Sequence, residues 1–492
     1  MNSGKLVFVK KCLTGAISLM IIIMFFAGCS KILEVKPPIN EIIGEEIYSS
    51  NKKAASVVTG IYASWGANSN FNGRTSLSLL LGVSSDELGS VANDFDVINS
   101  FYLNNLLTDD AGLWSNFYAY IFKINSAMEG ITRSKGVTDD VRSRLIGELR
   151  FLRALQYFYL VNIYGDVPLA LTTDIKETST LARAASMDVY HQIEVDLLFA
   201  EQNLSKEYVN ADILTPTDLR FRPNSYAANA LLARVYLYEK KWKEAEIKSS
   251  LLINETSMFK LENLENTFLN NSKEAIWQIQ PTSFGYNTLD ATIFVLSGDP
   301  GLFIPAGPNP DSKPVFITSD LYNSFELNDL RRKSWIDTVT VEGVLFPFAF
   351  KYKVWQAGQP LIESTMMLRL AEQYLIRAEA RAEQGIVNGG NSAQDDINAL
   401  RKRAGLNEIE LMDVTSALMI IRHERKVELF TELGHRWLDL KRTGKIDSVM
   451  MKVGEMKGHP WQSYKSLFPL PTSDIKNNPS LKGHQNPGYP EQ

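Results

Sequence analysis

Between Ile421 and Gly444 the chain reads IRHERKVELFTELGHRWLDLKRTG, and residue types that do chemistry are dense here: two of the five histidines, His423 and His435, among four acidic residues. A zinc-peptidase site needs His at i and i+4 with Glu at i+1, so that both imidazoles face one ion. His423-Glu424 is followed at the fourth place by Val427, and the metal pair is absent. His435 would lie roughly 18 Å along a continuous helix from His423, too far to share a ligand if the helix continues. Leu429, Phe430, Leu433 and Trp437 offer a buried face, while Glu432 with Arg436 and Asp439 with Arg442 are spaced as intrahelical ion pairs. A glycosidase would need two carboxylates roughly 5–10 Å apart in a cleft. Asp86-Glu87 and Asp109-Asp110 are the acidic neighbours available, and such pairs occur on any solvated loop. There is neither a Gly-rich phosphate loop nor a nucleophile elbow. The expectation is a polar, core-joining helix with no catalytic residue, no metal site and no cofactor.

The elements around this stretch are helical. In DDVRSRLIGELRFLRALQYFYLVNIYG, Leu145, Leu149, Leu152, Leu155, Phe158 and Tyr159 fall three or four apart and form one broad apolar face. Gly165-Asp166 and Pro168 end it. Similar periodicity runs over 113–131, 188–204, 225–239, 241–253, 366–385, 393–404 and 416–433. Ala233 and Ala245 supply small residues where two helices must approach closely, with Tyr236 and Trp242 beside a short polar turn. This mix resembles tetratricopeptide helical hairpins, although the copies keep no strict period. Two segments differ: 66–110 and 284–360 are rich in Gly, Asn, Ser, Pro and aromatics. AIWQIQ (275–280) reads as a short strand. Irregular segments this long are uncommon unless functional, so they are expected to form the working surface.

The composition, 45% hydrophobic and 22% charged, is that of a globular protein, and a formal charge of −5 provides no basic footprint for nucleic acid. The first residues depart from this. Lys5, Lys10 and Lys11 precede the short apolar run AISLMIIIMFFA and then Gly28-Cys29, the pattern of an export signal that is too short for a membrane span. FAGC resembles the lipobox of bacterial lipoproteins, with Phe26 in place of the usual Leu. Residues 1–28 are therefore expected to be removed, Cys29 to carry lipid, and 29–40 to form a tether. Cys12 would leave with the signal, so the mature chain would hold a single thiol and no internal disulfide.

ELRFLRALQYFYLVNIYGDVPLAL (148–171) resembles the E-x-R-F-L-R-A-x-x-Y-F-x-L-V-x-x-Y-G-x-V-P-L stretch of the SusD/RagB family of outer-membrane nutrient-binding lipoproteins. So do LIRAEARAEQG, INALRKRAGL, ERKVELFTELGHRWLDLKRTGK and the closing FPLPTSDIKNNPSLKGHQNPGY. Together with the lipobox these occur in family order from Cys29 to Tyr489. The resemblance implies a mainly α fold in which tetratricopeptide-like hairpins carry a variable loop-rich region with a few short strands. Residues 41–492 would form one composite domain. It also implies a lipid-anchored protein on the outer membrane, facing the exterior, that binds oligosaccharide or polysaccharide without catalysis and passes it to a SusC-like TonB-dependent β-barrel transporter. A peptide ligand, as in the RagB-like branch, is the alternative within the family. A helical-repeat assembly scaffold and a secreted glycoside hydrolase are alternatives of other classes.

Sugars are held by aromatic platforms with amide and carboxylate groups nearby. Trp114, Trp242 and Trp437 lie on helical stripes and Trp277 on the expected strand, which assigns them to the core; Trp461 fits either role. The platform is expected from residues in or beside the variable segments: Trp65, Asn68, Phe71, Asn72, Asp86, Tyr286, Asn287, Trp335 and Trp355. Any of them taken singly is also what a loop uses to pack itself, and no family motif carries ligand residues across.

Overall fold

The helical periodicity becomes helices whose ends are set by identifiable caps. The computed structural model describes residues 46–67, 69–110, 112–299, 301 and 304–490. The expected signal, Cys29, the tether and Asn68 lie outside the described residues. Tyr48–Gln492 groups into one compact unit.

Helix α1 (Asn51–Trp65) starts at Ser50, whose side chain accepts from the Lys53 amide. It is followed by α2 (Leu77–Ser84), strand β1 (Leu88–Ser90) and α3 (Val97–Tyr102). The scaffold then runs through α4 (Gly112–Arg133), α5 (Asp139–Tyr164), β2 (Val167–Pro168), α6 (Ile175–Thr178), β3 (Arg183–Ala184), α7 (Ser186–Asn203), α8 (Ser225–Tyr238) and α9 (Trp242–Ile253). An irregular stretch carries β4 (Ala275–Ile279), α10 (Leu289–Phe294), β5 (Val315–Ile317), α11 (Ser319–Tyr322), α12 (Leu330–Trp335), β6 (Ile336–Val341) and β7 (Val344–Ala349). The chain returns to the scaffold with β8 (Thr365–Arg369), α13 (Leu370–Glu383), α14 (Ala393–Arg403), α15 (Val414–Leu429), α16 (His435–Arg442), α17 (Ile446–Met456) and α18 (Thr472–Asn477).

The long helices stack in chain order: α4 on α5, α5 on α7, α7 on α8, α8 on α9, α9 on α13, then α14 and α15 on α13. Ala233 and Ala245 are both fully buried where α8 meets α9. The strands pair antiparallel as β1 with β5, β2 with β3, β4 with β8 and β6 with β7. The fold is thus mainly α, a helical-hairpin scaffold carrying loops and short strands.

The polar residues of the α5 motif are internal. Glu148 accepts from Arg222 Nε at 3.0 Å and from the Tyr62 hydroxyl at 2.8 Å, and Arg153 donates to both oxygens of Asp196 at 2.8 Å each. Such charges survive burial because each has a well-placed partner.

Three expectations need correction. Residues 366–369 are strand β8 and not the start of a helix: the strand is buried on both faces, so its apolar run carries no alternation to reveal it. Segment 66–110 is mostly irregular but also holds α2, a helix buried on every side that was not expected there. Finally, the helix through His423 ends at Leu429; Thr431, Leu433 and Gly434 all adopt positive φ before α16 begins at His435. A side chain at Gly434 would meet Leu81 Cδ1 at 2.3 Å, so the turn needs glycine both for its backbone angle and for the approach of α2.

Candidate functional site

Five irregular segments converge, held largely by side chains that take the place of a sheet ladder. Asn72 accepts from the Leu289 and Asp290 amides at 2.9 and 3.3 Å and donates to the Gly66 carbonyl at 3.0 Å, joining the 69–74 turn to the start of α10. Gly73 N donates to Asp290 Oδ1 at 2.8 Å. Burial pushes the Asp290 carboxyl up to about 7, with hydrogen bonds from Gly73, Ser76 and Ser78 offsetting part of the rise. Asn287 does the same work on the other side. It donates to the Pro360 carbonyl at 3.1 Å and accepts from the Ile362 and Glu363 amides at 2.8 and 2.9 Å. Gly358 N donates to Gly285 O at 2.7 Å, which lays the 282–287 and 355–362 loops side by side.

The remaining two loops attach through Arg74. It pairs with Asp96 and donates to the Asp311 carbonyl at 3.0 Å, linking 91–96 to the 309–313 turn. From that turn Lys313 places its ammonium 4.3 Å from the centre of the Trp355 ring. Trp355 also packs on a small apolar cluster of Val295, Leu296 and Phe348. The surface so built leaves Phe95 and Phe284 fully solvent-exposed, at 104% and 101%, with Tyr286 and Trp355 partly buried beside them. Bare aromatic faces among amide, guanidinium and carboxylate groups can stack on C–H surfaces and hydrogen-bond hydroxyls. Among the described residues no cluster of three or more His, Cys, Asp or Glu could hold a metal.

Several expected platform residues are elsewhere. Trp65 is fully buried; it is the last residue of α1, packed against Phe71 at 4.8 Å, Tyr120 at 5.4 Å and Trp277 at 6.3 Å between ring centres. Phe71 is fully buried too. Trp335 closes α12 with its indole N–H donating to the Leu264 carbonyl at 3.0 Å and its ring among Phe268, Lys351 and Arg403. These three rings cannot present a face to a ligand. Asn72 and Asn287 are buried with both ends of their amides engaged, so they shape the loops from beneath.

Asp86 is also structural. It receives Arg436 at 2.7 and 2.8 Å and lies 3.4 Å from Lys426. Burial would raise its pKa, but the bonds from Arg436 and the two cations outweigh it and leave about 2. Its neighbour Glu87 is fully buried, and burial with the adjacent Asp86 charge pushes it up to about 8. Of the nine candidates, Tyr286 and Trp355 reach the exposed face, and Asn68 lies outside the described residues. Phe95, Phe284, Arg74 and Lys313 were missed. No spacing signal marks either ring: Val91 and Ile98 stand four before and three after Phe95, and Tyr286 stands two after Phe284.

The motif 424–442 supports this face from behind. Glu424 meets Arg331 at 2.9 Å; Glu428 meets Arg369 at 2.6 Å and Arg331 at 3.1 Å; Glu432 meets Arg369 at 2.7 Å and Lys351 at 2.5 Å. The pairing expected between Glu432 and Arg436 does not form, because the break at 430–434 turns Glu432 inward and sends Arg436 to Asp86. Asp439 with Arg442 does form, at 2.7 Å. Burial favours neutral Glu428, yet Arg403, Arg369 and Arg331 hold it well below the usual carboxylate range. His435 is pushed down to about 4 by burial, against the pull of Glu372 4.0 Å away. Arg331, Lys351 and Asp86 belong to the two irregular segments, so the motif clamps both of them to the scaffold.

A helical-hairpin scaffold with a clamped, aromatic loop face defines a binding protein of the SusD architecture, and the comparisons with known proteins agree. Two family models match, one described as the SusD family over residues 354–489 and one as starch-binding associating with outer membrane over 31–237. The chain belongs to the SusD family. SusD-like protein P2 of Formosa agariphila is 25% identical, with 96% of this chain and 99% of that protein aligned. Starch-binding protein SusD of Bacteroides thetaiotaomicron is also 25% identical, over 73% of this chain and 75% of its own length. Among solved structures, a laminarin-binding SusD-like protein superposes with TM-score 0.72 at 24% identity, covering 90% of this chain and all of that one. Surface glycan-binding protein A from Bacteroides uniformis gives 0.73 at 20%, covering 89% and 99%. At these identities the structures attest the fold alone.

Proposed function

We propose that this is a non-catalytic, lipid-anchored glycan-binding protein of the outer cell surface, which captures oligosaccharide on its loop face and delivers it to a SusC-like TonB-dependent barrel. The observation that carries the reading is the pair of fully exposed rings, Phe284 on a loop tied down by the buried amide of Asn287 and Phe95 beside the Arg74–Asp96 pair. An apolar ring left in water on an immobilised loop has no folding rationale and a clear binding one. The bare aromatic rings favour a sugar, and the family's relatives named for starch, laminarin and surface glycan support that class.

A panel of immobilised polysaccharides and peptides tests it. Retardation by at least one polysaccharide, lost in a Phe284→Ala/Trp355→Ala variant that keeps the native melting temperature, is the expected result. Retention by peptides alone, or product release from any glycan, overturns it. The anchor is tested separately: Cys29→Ala should leave the protein soluble, and membrane attachment of that variant would sink the lipid reading.

A further inference from the structure

We propose that the chain carries a second, independent subsite for a neutral sugar ring, in the pocket between α4, the 168–181 segment and α18. The pocket has a volume of about 320 Å³, the lower end of what small-ligand sites occupy, and shares no residue with the loop face. The inference rests on the reading of the protein as glycan-binding, and assigns that chemistry to a different place.

Its floor is an i, i+4, i+8 stripe on α4: Trp114, Tyr118 and Phe122. Such a stripe is ordinarily covered by another helix. Here Trp114, 1% exposed, forms a closed base and Tyr118 is partly buried, the polar tips of these two rings being tied to opposite sides, while Phe122 is left open. Trp114 Nε1 donates to Asp474 Oδ2 at 2.5 Å, and the Tyr118 hydroxyl donates to the Pro168 carbonyl at 2.8 Å. These bonds hold the walls apart and fix the rings in place, so the site is preorganised and its polar tips need no ligand. Phe122, at the open end, is 57% exposed.

The rim is hydroxyl and amide chemistry. Ser179 and Asn477 are exposed at the mouth, with Thr178 and Asn478 beside them. None of the described residues lining the pocket is Lys, Arg or His, and Asp474 contributes a carboxylate. A negatively charged sugar would be repelled there, while a neutral ring can lay its C–H face on Phe122 and offer its hydroxyls to the rim.

The test is calorimetric titration of the full-length protein with neutral oligosaccharides that it binds, repeated on three variants. Phe122→Ala removes the open ring, Ser179→Trp fills the mouth from an exposed position, and Phe284→Ala/Trp355→Ala disables the loop face. The wild type should show two sites per chain. Phe122→Ala should weaken one of them at least tenfold, Ser179→Trp should abolish it, and the loop variant should retain it. A uronic-acid oligosaccharide should not compete for it. One site per chain that disappears in the loop variant overturns the subsite and leaves the loop reading intact. Binding abolished by the pocket variants alone overturns the loop reading instead, and no binding by the wild type overturns both.

Discussion

Arg369 and Arg74 each meet carboxylates, in settings that could hardly differ more. Arg369 has a side chain 2% exposed and is shared by Glu274, Glu428 and Glu432; Arg74 is 33% exposed and, among the described residues, pairs with the single carboxylate of Asp96. The first sits where the 424–442 motif grips the irregular segments; the second sits within the face those segments present. The polar content of the motif is consumed in internal partners, whereas on the face Phe95 and Phe284 are left in water. Reactive-looking sequence therefore marks the support, and bland-looking sequence marks the proposed binding face. The physical reason is that a buried charge must be matched from several sides, which recruits many charged residues into one stretch, whereas a loop that binds needs only a ring in water and a rigid base.

The sharpest way to break this comparison is to remove the hub of the support. Arg369→Ala leaves Glu428 and Glu432 buried with fewer cations, and loss of one partner from such a network costs about 3–5 kcal/mol. Urea denaturation should show this loss, whereas a change below about 0.5 kcal/mol, the range of ordinary surface sites, would mean that the network is not the clamp described.

A second effect comes from pH. His435 has a folded value of about 4 against an ordinary 6.5, so between these limits the unfolded chain binds more protons. Stability is then fully present above pH 6.5 and falls as pH drops toward 4, by up to about 3 kcal/mol for this group. His435→Gln should flatten that part of the profile. Glu428, held low by its arginines, contributes at lower pH: its share is intact above about 4.5 and is lost as pH falls toward its folded value. A stability profile from pH 7 to 4 that is identical in wild type and His435→Gln would refute the burial assigned to this histidine.

Between the two regions stand the amides that join them. Asn287→Ala removes three hydrogen bonds to the 360–363 backbone and strands those groups, a loss of about 1–3 kcal/mol. Because the loop it shapes carries the face, glycan affinity should fall along with the melting temperature. Lower stability with unchanged affinity would separate the support from the face more completely than proposed here.

The same contrast explains what could be read from the sequence. The long helices announced themselves through spacing, as in α5, where Leu145, Leu149, Leu152 and Leu155 are all buried. Trp65 was misassigned because a glycine-rich segment begins at Gly66, although Trp65 falls three and four places after Tyr62 and Ile61 on the stripe of α1. Strand β8 and helix α2 escaped because elements buried all round lose their periodicity. The break after Leu429 is set by tertiary packing of Gly434 on Leu81, which no local signal records. Aromatic content alone could not separate platform from core, because Phe95, with Val91 and Ile98 at helical spacing, looks locally like a core ring, and its exposure shows only in the folded chain.

Phe95→Ala probes the comparison at its smallest scale. The ring is 104% exposed, and follows Asp94 and precedes Asp96, whose carboxylate caps α3 through the Ile98 amide at 2.9 Å. Deleting the ring leaves that cap and the Arg74 pair untouched, so the melting temperature should not move and the stability change should stay within about 0.5 kcal/mol. Binding should respond nonetheless. A single aromatic contact contributes about 0.5–1.5 kcal/mol, so glycan affinity should fall roughly two- to tenfold. The effect should be smaller than that of Phe284→Ala/Trp355→Ala, which removes two rings. An unchanged affinity would confine the face to the 282–287 and 355–362 loops, and a lower melting temperature would mean that Phe95 belongs to the support after all.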